Sequence, residues 1–176
     1  ARALGVTGKT VASYLDLLVD LLLVRRLQPW HRNVGKRLVK SPKVYVRDSG
    51  LLHHLLGIRD VNDLIGHPGA GASWEGFVLE QIVAHRPADA MLSFYRTAAG
   101  AELDVVVEQG RGRKLAFEIK FSSAPKVTKG FWQARDDVAP TKAYIVAPVR
   151  ERFPFADGVE VVSVADLPAV LDEGAN

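Results

Sequence analysis

The chain has 176 residues, 48% hydrophobic and 24% charged, with a net charge of +3 and no cysteine. This is enough apolar chain for one or two buried cores, and it excludes disordered and collagen-like classes. The lack of cysteine excludes disulfides, thiolate zinc sites and cysteine nucleophiles and suits a reducing cytoplasm, while the longest apolar stretch, Tyr14 to Val24, is broken by Asp16 and Asp20 and falls short of the roughly 20 residues of a membrane span.

The chain begins at Ala1 without Met, inside a helical motif, and is expected to be a fragment of a longer protein. Residues 3–10, Ala-Leu-Gly-Val-Thr-Gly-Lys-Thr, match a relaxed phosphate-loop pattern with Ala at the first Gly. A working loop needs a buried strand before it, and only two residues precede this one. It reads as a turn into a helix, leaving no ATP site in this chain. The helix is predicted over 9–23 from Val11, Tyr14, Leu15, Leu18 and Leu22, with Thr7 as its cap.

The period then changes. Residues 23–27 and 37–40 read as two short strands around Asn33-Val34-Gly35, with 44–46 as another. From Leu21 to Arg47 there is no Asp or Glu but eight Lys or Arg, so the rest of the chain carries 3 − 8 = −5. A turn, a helix and a basic hairpin is the order of a winged-helix module, expected over 1–66. Arg25, Arg26, Arg32, Lys36 and Arg37 are its candidate nucleic-acid contacts. A solvated basic hairpin, or one docked on an acidic neighbouring domain, is an equal alternative.

Residues 48–56 and 61–65 read as short helices, and His67 to Ala72 as a linker of breaker residues. A second unit is expected over 73–176. It opens with a helix over 73–85, capped by Ser73 and carrying Trp74, Phe77, Val78 and Ile82 on one face. A strand over 91–96, a hairpin of 103–108 and 115–121, a helix over 126–137, strands over 143–146 and 159–164, and a helix over 166–171 follow. This α-β-β-β-α-β-β order predicts a mixed α/β fold with helices flanking a sheet. The five histidines and the serines show no metal or nucleophile spacing. Trp30, Trp74 and Trp132 read as core, with Trp30, beside His31 and Arg32, kept in view as a base-stacking residue.

The hairpin carries the chemistry. In Phe117-Glu118-Ile119-Lys120-Phe121 the apolar and charged residues alternate, so Glu118 and Lys120 share a face. On the partner strand Leu103, Val105 and Val107 are expected on one face, with Glu102 and Asp104 on the other. A three- or five-residue loop sets Asp104 opposite Glu118 and Glu102 opposite Lys120. Two carboxylates so opposed repel unless they share a cation, and hard oxygens suit Mg²⁺ or Mn²⁺. Lys120 would then orient water or meet developing negative charge. The alternative is a charged surface hairpin, with Glu102–Lys120 an ordinary cross-strand pair.

Phe94-Tyr95-Arg96-Thr97, Glu102-Leu103-Asp104-Val105-Val106 and Phe117-Glu118-Ile119-Lys120 together resemble the PD-(D/E)XK nuclease superfamily. There a helix before the hairpin often supplies a further acid. Gly71-Ala72-Ser73-Trp74-Glu75 has the matching form, making Glu75 the first choice and Glu80 the second. The acid before the hairpin is the pair Glu102/Asp104 rather than Pro-Asp, and the register favours Asp104. Val11 to Leu15, Arg26 to Trp30 and Ser41 to Leu52 resemble the C-terminal region of a family of prokaryotic AAA+-type ATPases, most specifically in Pro42-Lys43-Val44-Tyr45 and Asp48-Ser49-Gly50-Leu51. That resemblance implies an ATPase module missing from this chain, followed by a winged helix and a restriction-endonuclease-like α-β-β-β-α-β core. The implied function is a DNA-associated fragment with a metal-dependent phosphodiester-hydrolysing site, in which Asp104, Glu118 and Glu75 hold Mg²⁺ or Mn²⁺ and Lys120 positions water. A catalytically inactive module that binds DNA or a protein partner is the alternative. Partners implied are DNA and the ATPase module; assembly with a second copy is left open.

Overall fold

The computed structural model describes residues 1–30 and 35–173, with the backbone alone at Arg111. Thr7 caps α1 (Gly8–Asp20), its side chain accepting from Thr10 N at 3.1 Å. The apolar stripe predicted for this helix is present but not buried: no α1 residue is in the core, and Tyr14 is 63% exposed. Helical period shows that one face is apolar, not what covers it.

β1 (Val24–Leu27) pairs antiparallel with β2 (Lys43–Val46), from Val24↔Val46 to Leu27↔Lys43. The predicted strand over 37–40 is therefore not the partner of β1, and Asn33 and Val34 of its expected turn lie outside the described residues. The chain after β1 runs instead along the outer edge of the strand Met91–Arg96. Phe94 N donates to Gln28 O, Trp30 N to Phe94 O, and Val39 N to Arg96 O at 2.9 Å. An edge strand's unpaired amides and carbonyls are thereby satisfied, which a local hairpin would not achieve.

Asp48 caps α2 (Ser49–Leu55) and Asp60 caps α3 (Val61–Gly66). α4 (Ala70–His85) begins three residues before the predicted cap, so only 67–69 connect it to α3. Ser73 is not a cap but a buried helical residue, with its Oγ 2.6 Å from His53 Nε2. Gly76 lets α4 approach β2: a Cβ there would meet the Tyr45 ring at 3.4 Å.

The main sheet has the order β3-β4-β5-β6-β8-β7, built from β3 (Met91–Arg96), β4 (Glu102–Glu108), β5 (Lys114–Ile119), β6 (Lys142–Val146), β7 (Phe153–Ala156) and β8 (Val159–Val162). β3, β4 and β5 form an antiparallel meander, while β5–β6 and β6–β8 are parallel. α5 (Lys129–Val138) makes the crossover between β5 and β6. β7 was not predicted: its Phe-Pro-Phe-Ala sequence is wholly exposed on an edge, where proline is tolerated.

One face of the sheet packs against α4 and α6 (Leu167–Asp172), with Val78, Leu79, Ile82 and Leu171 over Val105, Val107, Leu115 and Phe117. The other packs against α5, with Phe131, Ala134 and Val138 over Val106, Ala116 and Ile145. Each Val, Leu, Ile or Phe side chain so buried contributes about 1.5–3 kcal/mol. The first third of the chain enters both layers, Leu27 the first and Trp30 the second. Trp30 is 3% exposed and edge-on to Tyr95, so it is core and offers no free ring face for a base. Among the described residues no helix is long and apolar enough to cross a membrane.

Candidate functional site

The predicted β4–β5 register is found where the strands pair: Val105 faces Phe117 and Glu108 faces Lys114. Beyond Val105 the strand changes step. On β3, Ser93 pairs with Val106 but Tyr95 pairs with Leu103, so Asp104 and Val105 together oppose Phe94. Such a bulge flips the alternation. Leu103 therefore joins Val106 on the α5 face instead of sharing the α4 face with Val105, as predicted. Asp104 turns to the end of the sheet, where its Oδ2 accepts from Ile119 N at 2.9 Å. The expected Glu102–Lys120 pair is not formed. Glu102 accepts from Arg96 at 2.5 Å, its register partner on β3, and Lys120 lies 2.6 Å from Glu118 Oε1.

Glu102, Asp104, Glu118 and Lys120 line an open cleft of about 510 Å³ with Glu75, Phe121 and Thr128. Glu75 comes from α4 and Thr128 precedes α5, so the cleft lies at the end of β4 and β5 between the helices of the two layers. Asp104, Glu118, Lys120 and Glu75 are thus brought together, and so is Glu102. Glu80 is not: it accepts from Arg25 (Nη2, 2.9 Å) and Arg47 (Nε, 3.2 Å) elsewhere on α4.

Three residues of the cluster escaped the sequence reading. Lys43 Nζ lies 2.8 Å from Glu75 Oε1, 2.9 Å from Glu102 Oε1 and 2.9 Å from Asp104 Oδ1. Tyr45, on the same face of β2, donates to the same Glu75 oxygen, and Arg96 holds Glu102. The signal was the Lys-x-Tyr alternation, which puts both side chains on one side of a strand. Burial works against the Lys43 charge, but Asp104 and Glu75 outweigh it and hold the ammonium above its ordinary range. Burial likewise opposes ionisation of Glu102, and Arg96 and Lys43 bring it below the usual carboxylate range.

Glu118 is different. It is 6% exposed, and its Oε2 is buried with no hydrogen-bond partner. Burial, with the Asp104 charge beside it, pushes its carboxyl up to about 7. The donor set is all carboxylate oxygen, the chemistry of Mg²⁺ and Mn²⁺. As the side chains stand, no three or more of the described acids or histidines are gathered around a common metal position. Glu75, Glu102 and Asp104 converge on an ammonium instead.

Of the predicted nucleic-acid contacts, Arg32 lies outside the described residues. Arg25 is held by Glu80, Arg26 by Asp16 at 2.6 Å and Lys36 by Asp137 at 2.6 Å. Arg37 is exposed, as is neighbouring Lys40.

The profile of a family described as "Domain of unknown function (DUF4143)" matches residues 70–167. A second, "Domain of unknown function (DUF8612)", matches residues 1–62. An uncharacterized protein of Mycobacterium tuberculosis and one of Mycobacterium bovis are each 48% identical to the chain over 162 residues, 92% of this chain. The chain spans 36% of the length of these relatives. No solved structure gives a significant match.

Proposed function

The chain belongs to the family of domains of unknown function DUF4143, and we propose that its acidic cleft is a divalent-cation site of PD-(D/E)XK nuclease type acting on DNA. The observation that carries this reading is Glu118: a buried carboxylate oxygen without a partner, in a cleft beside Asp104 and Lys120. An unsatisfied buried oxygen is costly, and a cation supplied from the cleft would satisfy it. The α-β-β-β-α-β order of α4 to β6 supports the restriction-endonuclease-like assignment, and the helix and two-stranded sheet of the first third support a winged-helix assignment.

Asp104 and Glu118 would hold Mg²⁺ or Mn²⁺, with Glu75 assisting. Such an ion, when bound, polarises a phosphodiester and lowers the pKa of water. The chain's own residues do the rest. The Ile119 amide fixes one Asp104 oxygen, and Arg96 fixes Glu102. Lys120, beside Glu118, is placed to orient water or meet charge developing on the phosphate. Exposed Arg37 and Lys40, with the paired Arg25, Arg26 and Lys36, give the first third a cationic surface for the DNA backbone. The greater length of the mycobacterial relatives is room for the ATPase module that the sequence resemblance implies.

Incubation with linear and branched DNA plus Mg²⁺ or Mn²⁺ tests this. Cleavage is expected, and it should vanish in Glu118→Ala; cleavage that survives Glu118→Ala overturns the mechanism. A second reading, a nuclease fold kept only to bind DNA or a protein partner, is favoured by one observation: Lys43 already holds three of the four carboxylates. It predicts salt-sensitive DNA affinity, weakened by charge reversal at Lys36 and Arg37, without metal-dependent cleavage.

A further inference from the structure

Resting on the cation-site reading above, we infer that Lys43 is the resident cation of this cleft, standing where a second ion would bridge Glu75, Glu102 and Asp104, so that the site takes one divalent ion and not two. An ammonium has three donors, and here each has a carboxylate oxygen at 2.8, 2.9 and 2.9 Å. The side chain is only 12% exposed and passes over the Phe94 ring at 5.6 Å. It does not line the cleft, whereas its three carboxylate partners do. Lys43 therefore reaches them from behind and leaves their outer side to solvent.

Charge bookkeeping gives the same result. With all four ionised, Glu75, Glu102, Asp104 and Glu118 carry four negative charges; Lys43, Arg96 and Lys120 return three. One negative charge then remains in a cleft where Glu118 Oε2 has no hydrogen-bond partner. Without Lys43 the deficit is two, and three carboxylates lose their common counter-charge. In phosphodiester sites that use two ions, each ion bridges shared carboxylates about 3.5–4 Å from the other. Here strand β2, through Lys43, supplies one of those charges covalently. Tyr45, donating to the same Glu75 oxygen, fixes the carboxylate that Lys43 and an incoming ion would share. This assigns a role to Pro42-Lys43-Val44-Tyr45: it fixes how many ions the cleft takes, as a positioning segment that need not touch substrate.

The test is Mn²⁺ stoichiometry, by calorimetry and electron paramagnetic resonance at fixed pH, on the wild-type chain and on Lys43→Met. The expected result is one Mn²⁺ in wild type and two in Lys43→Met, with Mn²⁺ raising the melting temperature of the variant by more than it raises that of wild type. One ion in both proteins overturns the inference and leaves the metal site standing. None in wild type but one in Lys43→Met supports Lys43 as the cation and overturns the site at Asp104 and Glu118. None in either overturns both. If Lys43→Met does not fold even in Mn²⁺, no divalent ion replaces the ammonium and the inference fails. Lys43→Met/Glu102→Gln, which removes one charge of each sign, controls for general loss of packing: it should fold and take a single ion.

Discussion

Helix α4 carries two carboxylates five residues apart, and they anchor charge clusters of opposite balance. Around Glu75 four acids meet three cations, with a buried carboxylate oxygen left over. Around Glu80 one acid meets two arginines, Arg25 and Arg47. Both clusters clamp the β1–β2 sheet to α4, the first through Lys43 and Tyr45 of β2 and the second through Arg25 of β1 and Arg47 just after β2. Only the first has an acid surplus facing an open cleft. A surplus of buried negative charge is the physical mark of a cation site, and an acid whose charge is fully met by its neighbours is the mark of a structural latch.

The widest separation between the two clusters comes from deleting the central partner of each. Lys43→Met leaves three carboxylates without their shared cation and should cost about 3–5 kcal/mol in denaturant unfolding without metal. Glu80→Ala strands two partly exposed guanidiniums that can still reach water, and about 1–3 kcal/mol is expected. Equal losses would erase the distinction between cation site and latch.

Glu118 sharpens the comparison through pH. Its carboxyl lies at about 7 in the folded chain against an ordinary 4.5, so the native state binds more protons between those values. Stability should therefore fall as pH rises from about 4.5 to about 7 and then level off. Glu118→Gln removes this dependence. It should be more stable than wild type by roughly 2–3 kcal/mol at pH 8 and indistinguishable at pH 4, measured by urea melts. A variant less stable than wild type at pH 8 would show that the carboxylate is satisfied in the folded chain.

The smallest effect is expected at the periphery. The Lys36–Asp137 pair joins the basic stretch to α5, but Lys36 is 48% exposed. Lys36→Ala should cost less than about 1 kcal/mol. Its value lies in DNA affinity, where a changed salt slope would separate a phosphate contact from a purely intramolecular pair.

The sequence by itself determined what depends on near neighbours. Alternation placed β3, β4, β5, β6 and β8 within a few residues, short-range capping found Thr7, and hairpin length set the register of Val105 on Phe117. It was enough to bring Asp104 and Glu118 to one end of one hairpin. Tertiary structure decided the rest. Phe94 spans two residues of β4, and that bulge parted Glu102 from Lys120 and set it on Arg96. The edge of β3 took residues 28–30 and 38–39, which left β2 as the partner of β1 and aimed Lys43 at acids 32 and 61 residues away. Period and propensity act over a few residues, whereas partners so distant in sequence are chosen by which edges and faces remain to be covered once the sheet has formed.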